Sequence, residues 1–86
     1  METAINVPPY DPAKGLHLDW DDGFEIEVKF QGNEIVIGGN SAGLTSLARH
    51  LLALAQTGAP AGAHVHLTAN QELESEVDLI LQKSTV

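Results

Sequence analysis

The fold is decided by residues 24–37, which read FEIEVKFQGNEIVI. Apolar and polar side chains alternate through the first seven of these positions, as expected for a strand with one buried face. Gly32-Asn33 is a two-residue hairpin signal, and a second strand is predicted through residues 35–37. The stretch therefore predicts an antiparallel β-hairpin.

The register of this hairpin follows from counting across the turn. A two-residue loop places Phe30 opposite Ile35 and Val28 opposite Ile37. Both apolar pairs then lie on one face, as a sheet with one buried face requires. The hairpin therefore presents one apolar face to the rest of the chain.

The segment before the hairpin predicts another strand. Residues 16–20 alternate between apolar and polar, and Asp21-Asp22-Gly23 has turn chemistry. A three-residue turn with Gly23 in the left-handed conformation sets Trp20 opposite Phe24. Three consecutive strands would then share one core face.

The segment after the hairpin predicts a helix and two more strands. Asn40 or Ser41 caps a helix that should run from about Ser41 to Gln56, with leucine and alanine at helical spacing. Alternation predicts further strands over residues 63–68 and 77–82. We therefore expect an α+β fold of order β-β-β-α-β-β, with one helix packed on one face of a mostly antiparallel sheet.

The expected core combines the alternating strand positions with one stripe of the helix. It comprises Trp20, Phe24, Ile26, Phe30, Ile35, Val65, Leu67, Leu79 and Leu81 from the strands and Leu44, Leu47, Leu51 and Leu52 from the helix. Residues 1–15 contain three prolines and show no apolar period, so they predict an extended or disordered N-terminal arm. Residues 16–86 are then a single α+β domain.

Composition excludes several classes of protein. The 86 residues include 12 Asp and Glu but only 4 Lys and Arg, giving a net charge of −8 that argues against nucleic-acid binding. The chain has no cysteine, which excludes disulfides, thiolate metal sites and a cysteine nucleophile. Its apolar stretches are too short to span a membrane, and no secretory signal pattern is expected.

The acidic residues are unevenly placed, with eight in residues 2–34, four in residues 72–78 and none between. In the expected register Asp19, Glu25 and Glu27 project from the open face of the sheet, with Asp19 opposite Glu25. Such a face is suited to a basic partner, although a plain solvated face that maintains solubility is the alternative.

The histidines offer a second candidate site. His64 and His66 leave the same face of one predicted strand, and His17 also points to the open face. These three could form a small metal- or ligand-binding site, although histidines that are solvated or face a partner are the simpler interpretation. No serine lies in a strand-turn-helix elbow, and residues 38–43 lack the lysine of a phosphate-binding loop. We therefore expect no enzyme activity and no cofactor.

The chain resembles the small bacterial immunity proteins of polymorphic toxin systems, in the group numbered thirty-two. The match extends over roughly residues 16–82, and the histidine pair before Leu67 is its most distinctive part. The matching positions are residues 24–28, Gly39-Asn40, Gly43-Leu44, Leu47-Ala48, Leu51, Leu54-Ala55 and residues 62–67. The resemblance implies an α+β fold, a cytoplasmic location, no catalytic residues and neutralisation of a cognate, co-encoded protein toxin by binding.

The expected contact residues lie on the face of the sheet that the helix leaves open. The expected partner-binding residues are Asp19, Glu25, Glu27, His64 and His66. Val36 and Ile80 on the same face predict a homodimer, because a short chain has edge strands to protect. No nucleic-acid or membrane partner is expected.

Overall fold

The predicted hairpin is present in the structure, a computed structural model that describes residues 1–16, 18–75 and 77–85. Strand β1 (Ile26–Gln31) pairs antiparallel with β2 (Glu34–Gly39). Phe30 lies opposite Ile35 and Val28 opposite Ile37, which confirms the predicted register. The turn places Gly32 at φ +62°, a conformation that glycine adopts without strain.

Helix α1 (Ser41–Ala55) follows directly and is fastened to the base of the hairpin by its cap residue. The Asn40 side-chain oxygen accepts hydrogen bonds from the amides of Gly43 at 2.8 Å and Glu25 at 3.0 Å. Its amide nitrogen donates to the carbonyl of Gly23 at 2.8 Å. One side chain thus satisfies the helix start and holds it against the residues that precede β1.

The other end of α1 is bound by the two ends of the chain. The Lys83 ammonium donates to the carbonyls of Gln56 at 2.6 Å and Ala59 at 2.8 Å. A positive charge at this end of the helix interacts favourably with the negative end of the helix dipole. The Gln56 side chain accepts from the Tyr10 amide at 2.9 Å and donates to the Pro8 carbonyl at 3.0 Å. The N-terminal residues therefore touch the helix; their division from the domain at residue 15 stays a prediction.

Strand β3 (His64–Leu67) pairs antiparallel with β4 (Leu79–Gln82). The α+β class, with one helix and antiparallel strand pairs, is confirmed. The four strands form two separate two-stranded sheets, whereas one continuous sheet was expected. None of the described helices is both long enough and apolar enough to cross a membrane.

The predicted first strand is wrong. The chain does turn at Gly23, which is left-handed as predicted, but the turn has two central residues, Asp22 and Gly23, and not the predicted three. The described residues of 16–20 belong to no strand. The Phe24 amide still donates to the Asp21 carbonyl at 3.2 Å, and Gly23 takes φ +75°. The Trp20 ring stacks on Phe24 with centroids 4.3 Å apart. The chain therefore turns where the sequence indicates but does not continue as a strand ladder.

A competing segment explains this difference. The edge of β1 that faces away from β2 is occupied by Glu74 and Ser75: the Glu74 amide donates to the Ile26 carbonyl at 2.9 Å, and the Ser75 hydroxyl donates to the Val28 carbonyl at 3.0 Å. Because these carbonyls are already bonded, residues 18–20 cannot pair there. The alternation in residues 16–20 indicated a strand, but it could not show that another segment already occupies the edge of β1.

Residues 19–21 lie on the helix instead, held by polar groups. The Asp21 amide donates to the Ser46 hydroxyl at 2.9 Å. The Arg49 guanidinium donates to the Asp19 carbonyl at 3.1 Å and forms an ion pair with the Asp21 carboxylate at 3.0 Å. This segment covers one side of α1 with its backbone, so Trp20 packs beside the core and not within a sheet.

The core is built on a different stripe of α1 from the predicted one. The helix buries Gly43, Ser46, Leu47, His50, Ala53 and Leu54. Of the predicted helix residues only Leu47 is buried, whereas Leu44, Leu51 and Leu52 are exposed. Gly43 provides the reason, because a Cβ there would lie 1.9 Å from the Glu25 carbonyl oxygen. The helix approaches β1 through its glycine, and this close contact fixes which stripe turns inward.

The remaining core residues come from the strands and from one loop. Phe30 and Ile35 were predicted in the core, and the structure corrects both to exposed positions. Leu73, in the loop between β3 and β4, is buried. The core cluster consists of Ile26, Val28, Leu47, Leu54, Val65, Leu67 and Leu73, with Leu16, Trp20, Phe24, Ala63, Leu79 and Leu81 packed against it.

Candidate partner-binding surfaces

The outer half of the hairpin carries an exposed apolar surface, which we call the hairpin-tip patch: Phe30, Ile35 and Ile37. Phe30 is 65% exposed and Ile35 64% exposed, and they lie opposite each other in the β1–β2 ladder. The alternation of the strands puts the patch on the same face as the buried Ile26. The helix covers only the base of that face, so the apolar face continues beyond the core into solvent.

A groove lies beside this patch, between β1 and the segment that contains Glu74 and Ser75. It has a volume of about 380 Å³ and is lined by Val28, Phe30, Glu74, Ser75 and Val77 among others. Val28, Phe30 and Val77 contribute apolar side chains to this lining, and Lys29 and Glu74 contribute charged ones. A surface that combines apolar and charged side chains is typical of a protein–protein contact.

Two of the predicted contact residues, Glu25 and Glu27, lie together at the base of the hairpin. With Glu74 they line a depression of about 310 Å³. The Glu27 carboxylate forms an ion pair with Lys29 at 3.3 Å. This side of the hairpin is therefore acidic, as the sequence predicted.

Asp19 is exposed, but it does not stand opposite Glu25 as the predicted register required. No ladder forms between the segments that contain them, because residues 19–21 are bound to α1. The expected like-charge pair across a ladder is therefore absent. Asp19 lies instead on the segment next to Arg49, whose guanidinium bonds its carbonyl.

His64 and His66 lie on the exposed face of β3, as their spacing predicted. The His66 Nε2 atom is 2.8 Å from the Asp78 carboxylate, and the His64 Nδ1 atom is 3.2 Å from the Gly62 carbonyl oxygen. Ile80, opposite His66 in the β3–β4 ladder, is also exposed. The exposed face of this second sheet thus combines two imidazoles with an apolar side chain.

Asp78 is the carboxylate that orders this face. Its second oxygen accepts the Ala69 amide at 2.7 Å. This backbone hydrogen bond, and next the bond from His66, holds the pKa of Asp78 below its usual value. A carboxylate that stays ionised fixes the orientation of the His66 ring.

A metal site at His64 and His66 would require a third ligand close to both side chains. His17, the predicted third ligand, lies outside the described residues. Within residues 1–16, 18–75 and 77–85, no three His, Cys, Asp or Glu side chains are grouped closely enough to hold a metal ion. The metal- or ligand-binding alternative thus gains no support from the described geometry.

The hairpin-tip patch is the surface that sequence reasoning missed, because Phe30 and Ile35 were placed in the core. Alternation identifies the face of a strand but not how far along it the covering helix reaches. The available signal was Gly43, a glycine inside the first turn of a helix. It indicates a close backbone contact at the base of the hairpin.

Comparison with known proteins gives one match. The family model of immunity protein 32 matches residues 34–84, which span β2, α1, β3 and β4. No curated protein and no solved structure matches the chain significantly. Since the matched residues make up more than half of the chain, the protein belongs to the immunity protein 32 family, a family of immunity proteins of toxin systems.

Proposed function

We propose that the protein neutralises a cognate, co-encoded toxin of a polymorphic toxin system by binding it. The family implies a toxin partner in general and a role without catalysis. Binding to a specific toxin is supported by the hairpin-tip patch, which exposes one aromatic and two aliphatic side chains to solvent. The proposal includes a cytoplasmic location, as the resemblance to immunity proteins implied.

The patch has the properties of an anchor for a partner. Exposed apolar side chains gathered on one rigid face mark interaction sites on small domains. Phe30 and Ile35 are held by the β1–β2 ladder, so little conformational entropy is lost when they dock. Aromatic residues at the centre of an interface commonly supply much of its binding energy.

The acidic residues around the hairpin define the chemistry of the partner. Glu25, Glu27 and Glu74 lie at its base, and Glu34 lies beside the turn. A toxin surface rich in lysine and arginine would complement them. Glu25, Glu27 and Asp19 then steer the encounter, and the hairpin-tip patch holds the complex. His64 and His66 belong to the same proposal as further contacts, presented on the exposed face of β3.

The first test is co-expression with the toxin encoded beside this gene, followed by co-purification. The wild-type chain should restore growth and copurify with the toxin. Replacing Phe30→Ala should weaken binding by about tenfold or more, because the largest apolar side chain of the patch is lost. Binding is measured by calorimetry with toxin that carries an inactivated active site.

The matched control is Val36→Ala, an exposed aliphatic residue on the opposite face of the same hairpin. It should leave affinity unchanged. Equal effects of the two substitutions would assign binding to another surface. Rescue of growth without a physical complex would overturn the proposal that the protein acts by binding.

A further inference from the structure

Helix α1 carries a second apolar stripe on the flank beside its buried face. We call it the outer stripe: Leu44, Ala48, Leu51 and Ala55, flanked by Leu52. The three leucines are 47%, 48% and 47% exposed. Exposed leucines gathered on one flank of a helix are typical of a surface that contacts another protein.

The spacing along the outer stripe is that of a helix–helix seam. Its four positions are separated by four, three and four residues, which is the heptad alternation of a coiled coil. Leucine alternates with alanine. The small alanines let a second helix backbone approach closely, and the leucines fill the spaces between, as ridges fit into grooves.

The outer stripe is also uncharged. Arg49 and His50 are the only ionisable residues in α1. The guanidinium of Arg49 is directed to Asp21 at 3.0 Å, and His50 is completely buried. Beside the stripe, Leu51 and Ala55 line a groove of about 410 Å³ together with Ile80 of β4. Lys83 also lines this groove, and its ammonium donates to the carbonyls of Gln56 and Ala59.

The charge distribution decides which partner suits this surface. Two copies of a chain with net charge −8 repel each other, so self-association requires contact where acidic side chains are missing. Residues 35–71 contain no Asp or Glu, and α1 lies entirely within them. A basic toxin, in contrast, would find no carboxylate on the outer stripe.

We infer that a second copy of this chain docks on the outer stripe, forming a two-fold symmetric dimer through a pair of α1 helices. The contact is isologous, and antiparallel helices let the two helix dipoles oppose each other favourably. The homodimer expected from Val36 and Ile80 is thereby assigned chiefly to the helix, with Ile80 at its margin. The inference does not depend on the toxin, because it uses a different surface from the hairpin-tip patch.

The test is sedimentation of the full chain over a concentration series from low to high micromolar. The wild-type protein should pass from monomer to dimer, at lower concentration when salt screens the net charge. Leu51→Gln should shift the transition to at least about tenfold higher concentration, as expected for a central apolar contact. Val36→Gln, at an exposed position on the hairpin, should not shift it.

Two further measurements define what each result means. Circular dichroism and melting of Leu51→Gln at low concentration should match the wild type, and Leu44→Gln provides a second variant if they do not. A monomer at every concentration would overturn the inference, as would a dimer that Leu44→Gln and Leu51→Gln leave intact. If the wild type stays monomeric and Leu51→Gln loses toxin binding while Val36→Gln keeps it, the outer stripe belongs to the toxin.

Discussion

At the scale of single residues, His50 is the least expected feature of the core. It is fully buried, and neither ring nitrogen has a hydrogen-bond partner among the described residues. The Trp20 ring meets it edge-on at 4.5 Å. Burial lowers the pKa of His50 below its ordinary value of 6.5; the neighbouring Arg49 lowers it further, and Asp19 opposes both.

This pKa shift predicts a pH dependence of folding stability. Since the pKa of His50 is lower in the folded chain, the unfolded chain takes up a proton first as the pH falls. The stabilisation is therefore complete above the unfolded value of 6.5 and is lost as the pH falls towards the folded pKa. Urea unfolding between about pH 5 and 8 should show falling stability on the acid side.

His50→Leu should flatten this dependence, and His66→Gln should retain it, because His66 lies on the surface. The folded pKa of Asp78 is also lowered, but from 3.8, so its contribution is lost only in a more acidic range. Stability that falls equally in wild type and His50→Leu across the histidine range would show that other groups cause the effect.

At the scale of elements, the helix determines which apolar residues contribute to stability. Its inner stripe ends in Leu54, 5% exposed in the core cluster, whereas Leu51 lies on the outer stripe. Leu54→Ala should lower the free energy of unfolding by about 2–5 kcal/mol, because it removes buried methyl groups and leaves a cavity. Leu51→Ala should change it by less than about 0.5 kcal/mol.

Both variants are measured by chemical denaturation at low protein concentration, so that self-association does not contribute. Leu47→Ala, also in the core, should resemble Leu54→Ala. If Leu51→Ala lowered the free energy of unfolding much more than Leu54→Ala, the buried stripe of α1 would be the one predicted from the sequence.

Local signals predicted the elements well where neighbours in the chain decide the structure. The register of the hairpin, the Asn40 cap and the turn at Gly23 all depend on residues a few positions apart. The end of α1 was predicted within one residue. In the hairpin turn, the helix cap and the turn at Gly23, the required backbone geometry is set by the glycine or asparagine at that position.

Competition between distant segments could not be predicted from the same signals. Residues 16–20 have the alternation of a strand, but Glu74 occupies the edge of β1 that they would need. The burial of Leu73 was not predicted, because it depends on where the loop between β3 and β4 crosses β1. The sequence predicted the acidic residues of the candidate site, Glu25 and Glu27. It did not predict the exposed hairpin-tip patch, because the exposure of that patch also depends on where a distant segment, the helix, packs.

At the scale of the whole molecule, charge and apolar surface are separated. The twelve acidic residues lie in the two ends of the sequence, and the acid-free middle forms most of β2, α1 and β3. The fold brings Glu74 from the second acidic group beside Glu25 and Glu27 from the first. One side of the hairpin thereby collects negative charge, while the outer stripe of α1 remains neutral.

This separation predicts that charge at the hairpin controls association rate. Replacing Glu25→Lys and Glu27→Lys together should slow toxin association strongly at low salt while the dissociation rate changes little. Surface plasmon resonance over a salt series measures both rates. The difference from wild type should shrink as salt increases, because screening removes long-range attraction.

A matched control places the same change in net charge at the chain ends, using Glu2→Lys, Ser84→Lys and Thr85→Lys. All three positions are exposed. If this variant slows association as much as the hairpin variant does, net charge and not the hairpin face governs the encounter. An effect confined to dissociation would contradict electrostatic steering.

The extension of the hairpin beyond the helix has a consequence for how such an inhibitor can diversify. Phe30 and Ile35 contribute little to the core, so substitutions there should leave the fold almost as stable as before. Substitutions at these positions should therefore be tolerated by the fold. The inhibitor can then adapt to changes in the toxin surface without first acquiring mutations that restore folding stability. Ile26 and Val28, four and two positions from Phe30 on the same face, do not have this freedom, so the boundary between variable and invariant sequence should fall within a single strand.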